Sequence, residues 1–240
     1  MKVLIVGASG MIGGEALLQC LANPQISSVV AFVRRELPSN VSNNPRLKSV
    51  IVKDFSKWPE DLLLAHADAV GMIWAMGSYG GDVQADLEYP FAFQEAMVRI
   101  LKPTGRQFNY VQLSGKFVWQ DQETNLWWGS VPRKIKFRGK LETMTLELAE
   151  RHPDVWKAFV LKPGGVVPKT WFGSGFLGVV TSLGAVMGEN WSVHIEELGA
   201  FMMYLALDGQ GEEPLLLNDR IVRRGRELLE LQKKAESSAN

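Results

Sequence analysis

Three glycines spaced three apart, Gly7, Gly10 and Gly13, follow directly on the apolar run Lys2-Val-Leu-Ile-Val6. The chemistry this pattern serves is the holding of a dinucleotide's pyrophosphate. Gly7 permits a tight turn off a strand, Gly10 lets phosphate approach the backbone, and Gly13 lets the following helix pack closely on the strand. The phosphates then meet the positive end of that helix. Met11 and Ile12 complete the loop, and Ala16, Leu17, Leu18 and Leu21 continue it as an amphipathic helix. A strand-to-helix turn without a ligand would use the same glycines; strand on one side and helix on the other favour the dinucleotide.

Further candidates fall at the ends of later apolar runs. Arg34 and Arg35 follow the second run, where a cofactor's adenosine ribose would lie. An acidic residue there would bind a free 2′-hydroxyl, whereas guanidinium suits a 2′-phosphate, so NADP (NADPH) is the expected cofactor. Ser9 can add a hydroxyl to the same phosphate. Asp54 and Phe55 end the third run, placed to accept from an adenine amino group and to lie beside the base; an Asx turn or a helix N-cap is the other use of Asp54. Ala75, Met76 and Gly77 end the fourth run as small or unbranched residues that let backbone pass close to ribose and nicotinamide.

Ser114 ends the fifth run, ahead of Gly115 and Lys116, and its hydroxyl can polarise a carbonyl. Hydride transfer to a carbonyl also needs a proton donor, usually a tyrosine whose pKa is lowered by a lysine one helical turn away. The helix from about 133 reads Arg-Lys-Ile-Lys136-Phe-Arg138-Gly-Lys140-Leu-Glu142 and contains no tyrosine; the chain's tyrosines are Tyr79, Tyr89, Tyr110 and Tyr204. Lys136 and Lys140 are the catalytic candidates on this helix, with Lys116, Lys134 or Tyr79 as other proton sources.

The elements that must position these groups alternate. Strand-like runs at 3–6, 28–33, 49–52, 69–75, 108–113, 156–161 and 215–217 are separated by helical patterns near 11–22, 58–66, 84–101, 133–150, 194–207 and 219–235. Alternation implies parallel pairing and right-handed crossovers, hence an α/β doubly wound parallel sheet with its ligand crevice beyond the carboxyl ends of the strands. With 240 residues, 46% of them hydrophobic, the expectation is a single domain over 1–240, with 165–213 contributing a small substrate-side cover.

The 26 basic and 26 acidic residues balance, which argues against nucleic acid and an anionic membrane and for a small-molecule substrate. The single Cys20 suits a reducing, cytoplasmic setting and core packing. The apolar stretch Trp171–Gly188 is diluted by five glycines and reads as a pocket cover rather than a membrane segment. His66, His152 and His194 are too widely spaced for a metal site, so no metal is expected. Trp119, Trp127, Trp128 and Trp171 suggest an apolar or aromatic ligand pocket, or equally core and interface packing. The helix with Phe137, Leu141 and Leu148 faces either its own sheet or a second copy in a homodimer.

Taken in order, Gly7-x-x-Gly10-x-x-Gly13, Arg34-Arg35, Asp54, Ser114, Arg138-Gly139-x-x-Glu142, Lys162-Pro163-Gly164 and Leu217-Asn218-x-x-Ile221-x-x-x-Gly225 resemble the atypical branch of the short-chain dehydrogenase/reductase superfamily, in the manner of its TIP30-like oxidoreductases. The resemblance implies an NAD(P)-binding Rossmann fold, cofactor contacts from Lys162 and Pro163, and reduction of a small carbonyl compound. It fails at the Tyr-x-x-x-Lys pair: one alignment sets Arg138 at the lysine and Lys134 at the tyrosine, the other Lys140 and Lys136. Removing a general acid forfeits about 100-fold to 10,000-fold in rate. A non-catalytic dinucleotide sensor or scaffold, and a redox-neutral isomerase or cyclase, therefore stand beside the oxidoreductase.

Overall fold

The computed structural model describes residues 1–78, 81–118, 120, 133–169 and 191–239. Its centre is a seven-stranded, wholly parallel sheet. The strands are β1 (Lys2–Val6), β2 (Ser28–Val33), β3 (Leu47–Ile51), β4 (Gly71–Trp74), β5 (Phe108–Leu113), β6 (Trp156–Lys162) and β9 (Leu215–Leu217), in the order β3-β2-β1-β4-β5-β6-β9. A parallel sheet covered on both faces needs apolar residues on both, which is why β1, β2, β4 and β5 read as continuous buried runs. Of the edge strands, β9 alternates in exposure and β3 has no fully buried residue. Strands from both ends of the chain share the one sheet.

Helices cover the two faces. On one, Leu17 and Cys20 of α1 (Met11–Ala22), Leu198 and Phe201 of α6 (Ile195–Leu207) and Ile221 of α7 (Asn218–Ala239) form a core with Ile5 and Ile73. Burial pushes the Cys20 thiol up to about 12, leaving it a neutral, apolar core group. On the other face, Phe93 and Met97 of α4 (Tyr89–Leu101) and Leu148 of α5 (Arg133–Arg151) pack with Trp74, Tyr110 and Trp156. Leu141 and Leu148 are both buried within the chain, so these two members of the α5 stripe face their own fold.

Several boundaries differ from the periodicity. The polar loop at 38–45 contains a short helix α2 (Ser39–Ser42), and the expected helix at 58–66 contracts to α3 (Glu60–Leu64) behind Pro59. The pattern at 84–101 divides into a π-helical turn, Gln84–Glu88, and α4, with Pro90 in the first turn of α4. Gly165–Val167 (β7) pairs in parallel with Ser192–His194 (β8), a second small sheet that three-residue segments do not announce. Within the expected cover, 170–190 lie outside the described residues, as do Tyr79, Trp119, Trp127, Trp128 and Trp171.

Candidate functional site

The order of strands reverses between β1 and β4, and a cleft opens there beyond their carboxyl ends. Backbone alone shapes its floor. Gly7 has φ +90°, a left-handed conformation that a side chain would strain, and a Cβ there would stand 2.6 Å from the Ala75 carbonyl carbon. A Cβ on Gly13 would stand 2.2 Å from the Gly7 carbonyl oxygen, so the first turn of α1 sits directly on the loop. The Gly10 N–H donates to Gly7 O at 2.9 Å, and Gly10 caps α1 without a side chain. The helix start thus presents its N–H groups to the cleft with no carboxylate in the first turn.

The cleft has two compartments that share Gly10, Ala75, Met76 and Gly77. One, about 150 Å³, is lined by Val6–Gly10, Phe32, Val33, Arg34 and Phe55. Arg34 and Arg35 are both exposed, and of the two only Arg34 lines this compartment. The Phe55 ring is buried against Trp58 and Trp74, at centroid distances of 5.7 and 6.3 Å. Asp54 is exposed and accepts from Ser56 through both its hydroxyl (2.6 Å) and its N–H (3.0 Å), an Asx turn. These bonds hold its carboxyl below the usual range.

The other compartment, about 250 Å³, is lined by Met11–Gly13, Ser78, Ala85, Asp86, Gln112–Ser114, Arg138, Leu141 and Glu142. Ser114, at the end of β5, donates its hydroxyl to Oε1 of Glu142 on α5. Oε2 of Glu142 pairs with Nζ of Lys162 at 3.0 Å. One turn before Glu142 on α5, Arg138 donates from Nε to Asp86 Oδ1 (3.3 Å) and from Nη2 to the Ser78 carbonyl (2.9 Å). Asp86 also accepts from the Ser78 N–H (2.8 Å) and hydroxyl (2.7 Å). The strand-end segment, the π-helical turn and α5 are therefore tied together at one wall.

Of the sequence candidates, Gly7, Ser9, Gly10, Met11, Ile12, Gly13, Arg34, Phe55, Ala75, Met76, Gly77 and Ser114 come together on this cleft. Lys136, Lys140, Lys162, Pro163, Arg35 and Asp54 are not among its lining residues; Lys140 is exposed, and the Lys162 ammonium is directed to Glu142 and the Val118 carbonyl. No tyrosine lines the cleft among the described residues. Tyr110 is fully buried in the core with Trp74, Phe93 and Trp156, its hydroxyl donates to Gln112 at 2.8 Å, and burial holds its phenol well above the ordinary value. No group of three or more His, Cys, Asp or Glu among the described residues is placed to hold a metal ion. No helix among them is long and apolar enough to cross a membrane.

Solved structures share this architecture. An oxidoreductase of the short-chain dehydrogenase/reductase family from Burkholderia thailandensis superposes with a TM-score of 0.68 at 17% identity, over 97% of this chain and 96% of that one. A short-chain dehydrogenase from Leptospira borgpetersenii with bound NAD+ gives 0.67 at 14% identity, over 92% of each. The NADPH-dependent 3-quinuclidinone reductase of Rhodotorula rubra gives 0.63 at 16% identity, over 91% and 90%. The chain has the Rossmann fold of the short-chain dehydrogenases/reductases. No family model matches the chain. Among curated proteins, the mitochondrial protein FMP52 of Saccharomyces cerevisiae is 37% identical over 60 residues, a match that spans only 25% of either chain.

On that Rossmann fold, sequence reasoning missed Asp86 and the partnership of Glu142 with Ser114 and Lys162. Asp86 sits in the polar run after β4, with nothing local to distinguish it from Asp82 or Glu88. Glu142 is an acidic residue on the buried side of a charged helix, and the signal that could have found it is its spacing from Leu141, Thr145 and Leu148, all on the face that packs inward.

Proposed function

We propose that the protein is an NADP-dependent oxidoreductase of the atypical short-chain dehydrogenase/reductase type, TIP30-like, acting on a small apolar or aromatic carbonyl compound. The observation that carries this reading is the glycine cradle: two positions where a Cβ would collide with backbone, at a helix start that opens into a two-compartment cleft. The cradle fits a dinucleotide. Gly7, Ser9, Gly10, Met11, Ile12 and Gly13 would hold its pyrophosphate, and Arg34, supported by Arg35, its 2′-phosphate. Asp54 and Phe55 would flank the base, and Ala75, Met76 and Gly77 would pass under the nicotinamide end. When bound, such a cofactor supplies or accepts a hydride.

The residues of the larger compartment then have separate tasks. Ser114 would bind the substrate oxygen, with its own hydroxyl oriented by Glu142. Arg138, one turn from Glu142 on α5, ties that helix to Asp86 and Ser78 and so sets the width of the site. Leu141, Leu113 and Met11 give the substrate an apolar lining. Lys136 and Lys140 remain candidates of the helix alone, Lys162 and Pro163 of the resemblance alone. The lone buried Cys20 supports a cytoplasmic, reducing setting.

The absence of a tyrosine from the described lining favours a second reading, a dinucleotide-binding sensor or scaffold that turns nothing over. The test of the first half is a titration of the purified protein with NADPH, NADH, NADP and NAD, following nicotinamide fluorescence and thermal stabilisation. Phosphate-dependent binding is the expected result, and no binding of any dinucleotide overturns the reading. NADPH oxidation against a panel of aryl aldehydes and ketones then separates the enzyme from the sensor.

A further inference from the structure

The cleft contains a charged group that a dinucleotide does not need. Glu142 is 0% exposed, yet both carboxylate oxygens are engaged from opposite sides: Oε1 by the Ser114 hydroxyl and Oε2 by the Lys162 ammonium at 3.0 Å. Lys162 is itself only 8% exposed, and its second bond goes to the Val118 carbonyl. A buried ion pair of this kind is costly to desolvate and contributes little to stability compared with apolar side chains of the same volume. Its position gives it another use, because Ser114 is at once the end of this network and part of the cleft lining.

We propose that Glu142, charge-balanced by Lys162, is the proton acceptor for Ser114, and that this pair replaces the phenol as the proton-transfer device of the site. The direction of the hydrogen bond is the argument. A carboxylate has no proton to give, so the hydroxyl must donate to it, and the Ser114 oxygen keeps its lone pairs for a substrate in the cleft. Glu142 acts through Ser114 and not on the substrate itself.

For an alcohol substrate, which rests on the oxidoreductase reading above, the balance is complete. The substrate hydroxyl gives its proton to Ser114 Oγ as Ser114 gives its own to Glu142. A bound oxidised nicotinamide would supply the hydride acceptor, taking the carbinol hydrogen with the electron pair of its C–H bond, and the substrate oxygen would form the carbonyl. The proton on Glu142 is released to water when product departs. Carbonyl reduction runs the same path in reverse, with Ser114 protonating the substrate oxygen and recovering a proton from Glu142. No tyrosine is required in either direction.

The coupling can be tested without knowing the substrate, because a serine whose proton is taken by a base is also a nucleophile. Diisopropyl fluorophosphate is incubated with the full-length protein, and adduct formation is followed by intact mass. In that reaction Ser114 Oγ forms the bond to phosphorus, fluoride leaves, and the proton goes to Glu142. We expect one adduct on Ser114, none in Ser114→Ala, labelling about 100-fold slower or more in Glu142→Gln, and partial rescue in Glu142→Asp.

An unlabelled Ser114, or Glu142→Gln labelled at the wild-type rate, overturns the proposal. Should Glu142→Gln fail to fold by circular dichroism, the wild type in D2O decides: a slower reaction supports proton transfer during attack, and an unchanged rate overturns it. Titration of the wild type with NADPH keeps the two readings apart. Failure to bind defeats the oxidoreductase and leaves the labelling result standing, whereas binding with no labelling defeats the proton device alone.

Discussion

The two compartments of the cleft are built by different means. The smaller one is made mostly of backbone from the first 77 residues, with the helix start and the ends of β2 and β4 brought together by adjacent parallel strands. The larger one depends on side chains far apart in sequence, Asp86 and Arg138 being separated by 52 positions and Ser114 and Glu142 by 28. A backbone site fails where an added atom intrudes; a side-chain network fails where an atom is removed.

The largest effect should come from intrusion. Gly13→Val would put its Cβ against the Gly7 carbonyl oxygen, where only 2.2 Å separates them, with the Gly7 carbonyl carbon at 2.6 Å and the Ala75 Cβ at 3.2 Å. Overpacking of this kind costs about 1–3 kcal/mol or more in stability. Because the displaced loop is the proposed phosphate cradle, NADPH affinity should fall by about 100-fold or more, equivalent to ~3 kcal/mol. Fluorescence titration and a thermal melt check both. Unchanged NADPH affinity would show that the cradle is not where the dinucleotide lies.

The counterpart is removal at the other compartment. Asp86→Ala would leave the Ser78 hydroxyl and N–H without their acceptor and Arg138 without its anion. Breaking a buried pair costs about 3–5 kcal/mol. The Arg138 side chain is 32% exposed and can turn to water, which sets the expectation at the lower end, about 3 kcal/mol by urea denaturation. Asp86→Asn, which keeps one acceptor oxygen, should lose roughly half of that. Dinucleotide affinity should fall less than in Gly13→Val, and an equal loss would erase the distinction between the compartments.

The same difference explains what was legible in the sequence. Gly7, Gly10 and Gly13 are readable because a backbone turn imposes residue types at fixed local spacing, and the continuous apolar runs gave away a sheet covered on both faces. Ser114 was readable as a strand-end position, since the crevice of a doubly wound sheet lies there. Its partner Glu142 was legible only as an acidic residue on the inward face with Leu141, Thr145 and Leu148; that it meets Ser114 is set by how α5 packs on the sheet, which no local pattern carries. β3 began two residues earlier than its apolar run because Leu47 pairs with Val29 although Lys48 interrupts the alternation. The segment β7 could not be seen from its own three residues, since its partner β8 comes 25 positions after it.

The proposed contact with a 2′-phosphate sharpens the comparison within the first compartment. Arg34 lines it and Arg35 does not, although both are exposed. A charge-assisted hydrogen bond contributes about 1.5–3 kcal/mol, so Arg34→Glu should cut the preference for NADPH over NADH by roughly 10-fold to 100-fold. Arg35→Glu should act through the weaker field of a screened surface charge, about a few-fold, and more so at low salt. The ratio of the two dissociation constants is the measurement. Equal effects of the two variants would mean that both guanidinium groups reach the phosphate.

The smallest effect concerns the support beneath that compartment. His66 is 6% exposed, and its ring meets Phe32, a lining residue, edge-on at 5.6 Å. Burial, then the charges of Lys2 and Lys48, lower its pKa from 6.5, against the opposing pull of Asp68. A lowered folded pKa means that the unfolded chain binds a proton first as the pH falls. The stabilisation from neutral His66 is therefore complete above pH 6.5 and is lost progressively below it, down to the folded pKa, with a slope of at most ~1.4 kcal/mol per pH unit. Asp54 and Asp68, whose carboxyls are held low by Ser56 and Lys2, act in the same direction at lower pH, below the carboxylate value of 3.8. His66→Leu should flatten stability between pH 6.5 and the carboxylate range while leaving the steeper acid limb in place. Amide exchange should then open β2 before β5 on acidification of the wild type and not of the variant; simultaneous opening of both strands would show that the half with the glycine loop has no separate weakness.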